Sequence, residues 1–466
     1  MYIPQQALTV IVPIIPERLE NLRSLLDKIN GQTLRQIKDR SVDEEIILPF
    51  EELKTIHFCR FFIIDELKDT EGRLFSPMLA FTTNYDGTLG AHLKEFSDVA
   101  AKGFDRVYAH CQGYPTKPKD SSRTKFFKKN NSTPPLFWSA MRGYSVENIK
   151  KEDFLRNELQ KYLDVHMKTE NWAEFSSEEA RGKIVQFIKN REDLRWALEP
   201  MPKPSLWAKF KYWGRLSIIL LFALAVALSA FIITPLWAFE VIDTIPLSIK
   251  IAAIVSWLLL IGLGAWIVIG RIYEKADDQI RAITPPPDKK QLERIEERYY
   301  QMANMEDTFV QNQLTVYGTI KKPYWFKRTT LKMALKLFAL NGAYRSTKGK
   351  LSGIPTIHFA RWLVFNNNQN VAFLSNYNGN WENYLSEFIE RSAGAMNLTF
   401  GQMVGYPQVK WFIKGGAHDE QKFKKVVREN QYPSQVFYSA YPTITVRNIL
   451  NNAHFRKGLH EQPKNS

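Results

Sequence analysis

Two histidines sit in nearly the same phrase. His57 lies in "TIHFCRFFIID" and His358 in "TIHFARWLVF", and three positions after each stands an arginine, Arg60 or Arg361. Imidazole is the side chain best suited to general-base or ligand work near neutral pH. A guanidinium grips an anionic group in a bidentate fork. Both phrases are aromatic and β-branched, the composition of a strand. Strict alternation then places His57 and Cys59 on one face and Phe58 and Arg60 on the other. Histidines facing an interior could act as bases or as haem ligands. The plainer alternative is a core histidine that donates one hydrogen bond, with each arginine paired to Asp65, Glu95 or Glu387.

A second pair of matching tetrads is Asn84-Tyr85-Asp86-Gly87 and Asn376-Tyr377-Asn378-Gly379. Asp86 could move a proton, and Tyr85 and Tyr377 could point phenols into a pocket. An Asx-Gly turn that starts a helix explains the same residues without chemistry. The candidate catalytic set is His57, His358, Asp86, Tyr85 and Tyr377; the candidate ligand-binding set is Arg60, Arg361, Asn84 and Asn376. A metal is not expected. His92 and His110 stand opposite Tyr384 and Gln402, and His418 stands alone beside Asp419, whereas zinc needs three or four convergent ligands. The two cysteines, Cys59 and Cys111, stand opposite Ala360 and Met403, which points to packing and not to nucleophilic chemistry. Two cysteines give no disulfide framework.

These residues belong to a longer internal repeat. "LTVIVPI" from Leu8 matches "LTVYGTI" from Leu314, "QGYP" matches "VGYP", and "FWSAMRGYSVENI" matches "FYSAYPTITVRNI", all in the same order. Each copy reads strand, helix, strand, strand, helix, strand. In the first, "LTVIVPI" is a strand, "PERLENLRSLLDKI" carries leucines at helical spacing, and "MLAFTTNYDG" is a strand stopped by a turn dipeptide. A helix runs from Thr88 towards Gly103, and "DRVYAHCQGYP" or "LFWSAMRGY" supplies the last strand. In the second copy "AHDEQKFKKVVREN" adds a helix before the final strand. This is the ferredoxin-like order.

Between the copies, residues 216–239 and 251–270 carry no charge. About 20 apolar residues cross a bilayer as a helix, so the two stretches predict a membrane hairpin. Lys203, Lys209, Lys211 and Arg215 precede it, Arg271 and Lys275 follow it, and the short connection carries Glu240 and Asp243 against Lys250. That asymmetry predicts both long arms on the cytoplasmic side. Trp207, Trp213, Trp237 and Trp266 suit headgroup-level anchoring. The absence of an ionisable residue from either stretch argues against an ion or proton path.

The element order of the paired arms resembles the dimeric α+β barrel superfamily, which includes dye-decolourising peroxidases, chlorite dismutases and small monooxygenases. The resemblance implies sheet-to-sheet pairing of the arms into a barrel and, by analogy alone, haem and oxidoreductase chemistry of the peroxidase or monooxygenase type. The peroxidase pattern GxxDG is met here by Thr83-Asn84-Tyr85-Asp86-Gly87, without its first glycine, and the second copy has Asn378 at the aspartate.

The expected architecture is therefore α+β: two tandem ferredoxin-like domains, residues 1–160 and 311–466, pairing as a barrel. Residues 161–215 form a helical connection, 216–270 a transmembrane hairpin with spans 216–239 and 249–270, and 271–310 a charged helical linker. The net charge of +15 and the basic runs at residues 117–129 and 422–428 favour an anionic lipid surface beneath a bilayer; nucleic acid is not an expected partner. The leading functional expectation is an integral inner-membrane protein binding a small hydrophobic or anionic ligand. The alternative is a non-enzymatic scaffold whose two copies bind a protein or lipid headgroups. Oligomerisation is compatible with both.

Overall fold

The computed structural model describes residues 3–38, 45–169, 171–200, 206–238, 246–283, 289–306, 310–345, 349–351 and 353–460. Lys203, Glu240, Asp243 and the triple proline after Thr284 lie outside the described residues, as do the side chains of Trp207, Lys209, Lys211, Trp213 and Arg215.

The first arm runs β1 (Gln5–Pro13), α1 (Leu19–Ile37), β2 (Ile56–Ile64), β3 (Met78–Asp86), α2 (Leu89–Val99), α3 (Ala101–Tyr108), α4 (Asp120–Lys129), β4 (Leu136–Ser139) and α5 (Val146–Thr169). The centre follows with α6 (Ser177–Asn190), α7 (Leu206–Leu228), α8 (Thr234–Ala238), α9 (Leu247–Ile283) and α10 (Lys289–Glu306). The second arm runs β5 (Gln311–Thr319), α11 (Tyr324–Arg345), β6 (Ile357–Phe365), β7 (Asn370–Asn378), α12 (Trp381–Phe400), β8 (Val409–Lys410), β9 (Lys414–Gly415), α13 (Glu420–Glu429), β10 (Val436–Ser439) and α14 (Val446–Gly458). Of the two segments offered for the first arm's last strand, "LFWS" forms it. Asp105–Tyr108 is helical, because Phe104, Val107 and Tyr108 turn one buried face to the core.

The protein is α+β with antiparallel sheets. Two four-stranded sheets are ordered β1-β3-β2-β10 and β4-β6-β7-β5. Each sheet thus takes three strands from one arm and its last strand from the other. Val436–Ser439 pairs with β2 of the first arm, and Leu136–Ser139 with β6 of the second. The chain entering each exchanged strand first touches its own arm: Asn131 bridges Val10 and Gln431 bridges Val316. Every residue of β2, β3 and β7 is buried, so these strands are covered on both faces.

Two helical stretches, Ser217–Ala238 and Leu247–Ile280, are long and apolar enough to cross a membrane. Core helices of that composition are hidden, whereas only 6% and 11% of these apolar windows is buried. A π-turn at Ser229–Ile233 interrupts the first, just before Pro235, whose missing N–H cannot continue the helical ladder. Beyond Gly270, α9 continues as a polar helix against the second arm. Its Asp277 pairs with Lys327 at 2.6 Å and Lys321 at 3.4 Å.

Candidate functional site

The bulges come first, because they aim the histidines. In the β2–β3 ladder Ile56 pairs with Tyr85 and Phe58 with Asn84, which leaves His57 as an extra residue. The β6–β7 ladder slips in the same way at His358. A bulge breaks two-fold alternation. His57 therefore does not lie opposite Arg60, as alternation predicts; both side chains reach the other arm, while Cys59 packs among the apolar core residues of the first arm.

The centre between the sheets collects seven of the nine candidates. His57 is fully buried, with Nε2 2.9 Å from Asp86 Oδ1 and Nδ1 2.9 Å from the Tyr441 hydroxyl. The other carboxylate oxygen of Asp86 accepts from Val146 N at 2.8 Å, and Asn378 accepts from Val446 N at 2.9 Å. Each residue thus caps the helix that follows its own arm's last strand. Asn84 donates to Asn376 at 3.0 Å. His358 packs on Phe58 with ring centroids 5.2 Å apart, and its Nε2 has no hydrogen-bond partner. Burial, aided by nearby His57, lowers His358 to about 3, so it is a neutral imidazole.

The arginines form a reciprocal clasp. Arg60 donates to Leu314 O, Thr315 Oγ1 and Ser375 O at 3.0, 2.9 and 2.9 Å. Arg361 donates to Leu8 O, Thr9 Oγ1 and Thr83 O at 2.9, 3.0 and 2.9 Å, and also to Asn84. Each reaches across to the first and third strands of the opposite arm. Burial pulls both guanidiniums down to about 9, still above neutral pH, so both remain cations whose charge meets carbonyl dipoles. The expected carboxylate partners are engaged elsewhere: Asp65 with Arg23, Glu95 with Thr55 and Lys54 N, Glu387 with Thr356.

Tyr85 and Tyr377 turn the other way, beneath the helices. Tyr85 stacks on His92 at 3.9 Å and Tyr377 on Tyr384 at 3.9 Å. Burial raises Tyr85 to about 12 against the pull of Arg361 and lowers His92 to about 3. The two phenols thus stack on His92 and Tyr384, not on His57 or His358.

A haem does not fit these residues. Both nitrogens of His57 are engaged, its ring lies 5.1 Å from Phe359, and His358 lies against Phe58. His57 is fully buried and His358 is 2% exposed. Neither ring offers an open face.

Space exists elsewhere. A cavity of about 100 Å3 lies between the second sheet and helices α11 and α12, lined by Trp138, Phe338, Leu351, Trp362, Ser392 and Met396 among others. Its walls are apolar except at Arg142, which donates to Gly342 O, and at Ser392. Ser392 stands at a kink in α12 (φ −145°, ψ 18°), is 8% exposed, and its hydroxyl has no partner. The first arm breaks its helix at the matching place, Ala100, and fills the space beside it. There Phe50 is fully buried and stacks on Tyr438 at 5.3 Å. Leu48 covers Gly103, where a Cβ would stand 2.0 Å from Ile47 O. The connection from α11 to β6 (residues 346–356) is shorter than that from α1 to β2 (38–55), and Leu351 stands where Phe50 does when the two "TIHF" phrases are aligned.

Sequence reasoning missed Tyr441, the cavity, and a matched pair of glutamines. Gln5 donates to Met141 O and Tyr144 O, and Gln311 to Tyr441 O and Ile444 O. Their signal was present, since each opens the first strand of its arm. The basic runs lie on α4 and α13. On α13, Lys422, Lys424 and Arg428 are ion-paired with Asp419, Glu420 and Glu306.

No protein-family model, curated protein or solved structure matches the chain.

Proposed function

We propose that the chain is a membrane-anchored protein whose duplicated ferredoxin-like arms close into one α+β barrel, and whose second arm binds a small apolar molecule at the membrane face. Three features support the closed barrel: the exchanged last strands, the bridges Val10–Asn131 and Val316–Gln431 that join the two sheet seams, and the reciprocal arginine clasp. The interior is packed and interlocked. The His57–Asp86–Tyr441 network and the clasp hold the halves in register, and binding falls to the cavity under α11 and α12.

The observation that carries this reading is the unfilled site in the second arm where Phe50 fills the first. A dry apolar cavity of this order takes up benzene-sized molecules. The unpartnered Ser392 hydroxyl adds one hydrogen bond, which suits an apolar molecule with a single polar group, such as a ring alcohol or the end of a lipid chain. Helix α11, which walls the cavity, packs against α7, so the site borders the proposed anchor.

Native mass spectrometry of the detergent-purified protein tests the reading. A bound apolar species is expected in the natural protein and is lost in Leu351→Phe, with unfolding midpoint unchanged or raised. Absence of any such species, together with no uptake of benzene or xenon, overturns it. So does equal occupancy in Leu351→Phe.

A further inference from the structure

The second arm carries a small hairpin that the first lacks. After the matching "GYP", the first arm proceeds from Thr116 to α4 through four residues, Thr116–Lys119, whereas the second inserts β8, the turn Trp411-Phe412-Ile413, and β9 before α13. The turn is strained. Trp411 and Phe412 have φ of 55° and 64°, a region that bulky L residues enter at a cost of about 1–2 kcal/mol each. Glu274 of α9 holds them there, accepting from Trp411 N at 2.8 Å and Phe412 N at 2.7 Å. The strained turn still leaves Trp411 50% and Ile413 51% exposed.

Its level along α9 is defined. The Phe412 ring covers Gly270, where a Cβ would lie 2.0 Å from the ring, and the Trp411 ring lies 6.0 Å from the Arg271 guanidinium. Gly270 and Arg271 are where the charge-free run of α9 gives way to polar helix. One turn further into that run, Trp266 stacks on Phe326 at 4.4 Å and meets Trp325, itself 52% exposed, at 6.0 Å. Lys410 and Lys414 flank the tip and are both exposed. Aromatic rings with neighbouring lysines, at the end of an apolar helix, are what the headgroup zone of a bilayer selects.

We propose that the β8–β9 tip and Trp325 form a lipid-contact surface that inserts into the headgroup region of an anionic leaflet beside α9, fixing the tilt of the second arm on the membrane. The proposal rests on the anchoring reading above. Trp411 and Ile413 enter the interface, and Lys410 and Lys414 meet lipid phosphates.

Spin labels in the full chain, reconstituted into vesicles of phosphatidylcholine and phosphatidylserine, test it. Labels are placed singly by Ile413→Cys, Leu258→Cys in the apolar run of α9, and Ser121→Cys on α4. The natural Cys59 and Cys111 are buried, and burial raises both thiols, which keeps them unlabelled. The expected result is an oxygen-to-nickel-chelate collision ratio severalfold higher at Ile413 than at Ser121, higher still at Leu258, and lowered at Ile413 by Lys410→Glu with Lys414→Glu. A lipid-like Leu258 with a Ser121-like Ile413 overturns the hairpin inference and leaves the anchor standing. A Ser121-like Leu258 removes the anchor, and the inference with it.

Discussion

The two arms share an order of elements but spend their differences in two places. In the first arm a long connection folds Phe50 and Leu48 into the gap between helix and sheet, and a short one joins α3 to α4. In the second the first connection is short and leaves a cavity, while the second is lengthened into the β8–β9 hairpin against α9. What the arms give each other is, by contrast, symmetric: one strand and one arginine. The lesson is that the interlock constrains both arms alike, and specialisation is confined to loops outside it.

The largest effect expected from breaking that contrast is at the plug. Phe50→Ala in the first arm should cost about 3–5 kcal/mol by opening a cavity, read as a shift in unfolding free energy, and should create there the apolar binding proposed for the second arm. A cost below 1 kcal/mol would mean that the first arm is not closed by Phe50. Next comes the clasp. Arg60→Ala strands Leu314 O and Ser375 O, and Arg361→Ala strands Leu8 O and Thr83 O, for about 2–3 kcal/mol each. Because the two cations repel across the centre, each single variant relieves that repulsion, and the double variant should cost more than the sum. Strongly unequal single costs would contradict the symmetry.

Acid separates the arms more gently. The unfolded imidazole of His92 titrates near 6.5, and the folded one is held at about 3. The unfolded state therefore binds the proton first. Stability from this group is complete above about pH 6.5 and falls by about 1.4 kcal/mol per unit below it until the folded value is reached. His358 adds a similar slope. Tyr384 occupies the His92 place in the second arm and donates or accepts at Ser375 Oγ, 2.6 Å away, with no titration in acid. His92→Tyr should therefore flatten the acid side of the stability profile, measured as unfolding midpoint against pH. An unchanged slope would mean that His92 is not buried neutral. The smallest stability effect is expected at the hairpin: Trp411→Ala should change unfolding by less than about 1 kcal/mol.

Much of this was legible in the chain. The β-branched runs, the helical leucines of α1 and the two charge-free stretches gave the elements their places, and the matched phrases paired them. The exchange of last strands was not legible, because "LFWS" and "VFYS" are short, alike, and equally able to pair with either arm's "TIHF" strand. His57, Arg60, Asn84 and Asp86, singled out as catalytic or ligand-binding candidates, lie together at the centre. That they are consumed by one another was hidden, because the bulges at His57 and His358 break the alternation from which their directions were read. The cavity was hidden for another reason: it depends on how far one connection reaches and on whether Phe or Leu stands at its end.

The strand exchange has a consequence for topology. Paired β4–β6 and β10–β2 ladders weld the arms into one body, so the proposed anchor between them is expected to enter and leave the bilayer on the same side. Sealed vesicles bearing single cysteines introduced by Ser121→Cys on α4 and Asn451→Cys on α14 measure this with a membrane-impermeant maleimide. The account predicts that both sites react, or both are protected, together in any one vesicle orientation. Labelling of one with protection of the other would contradict it.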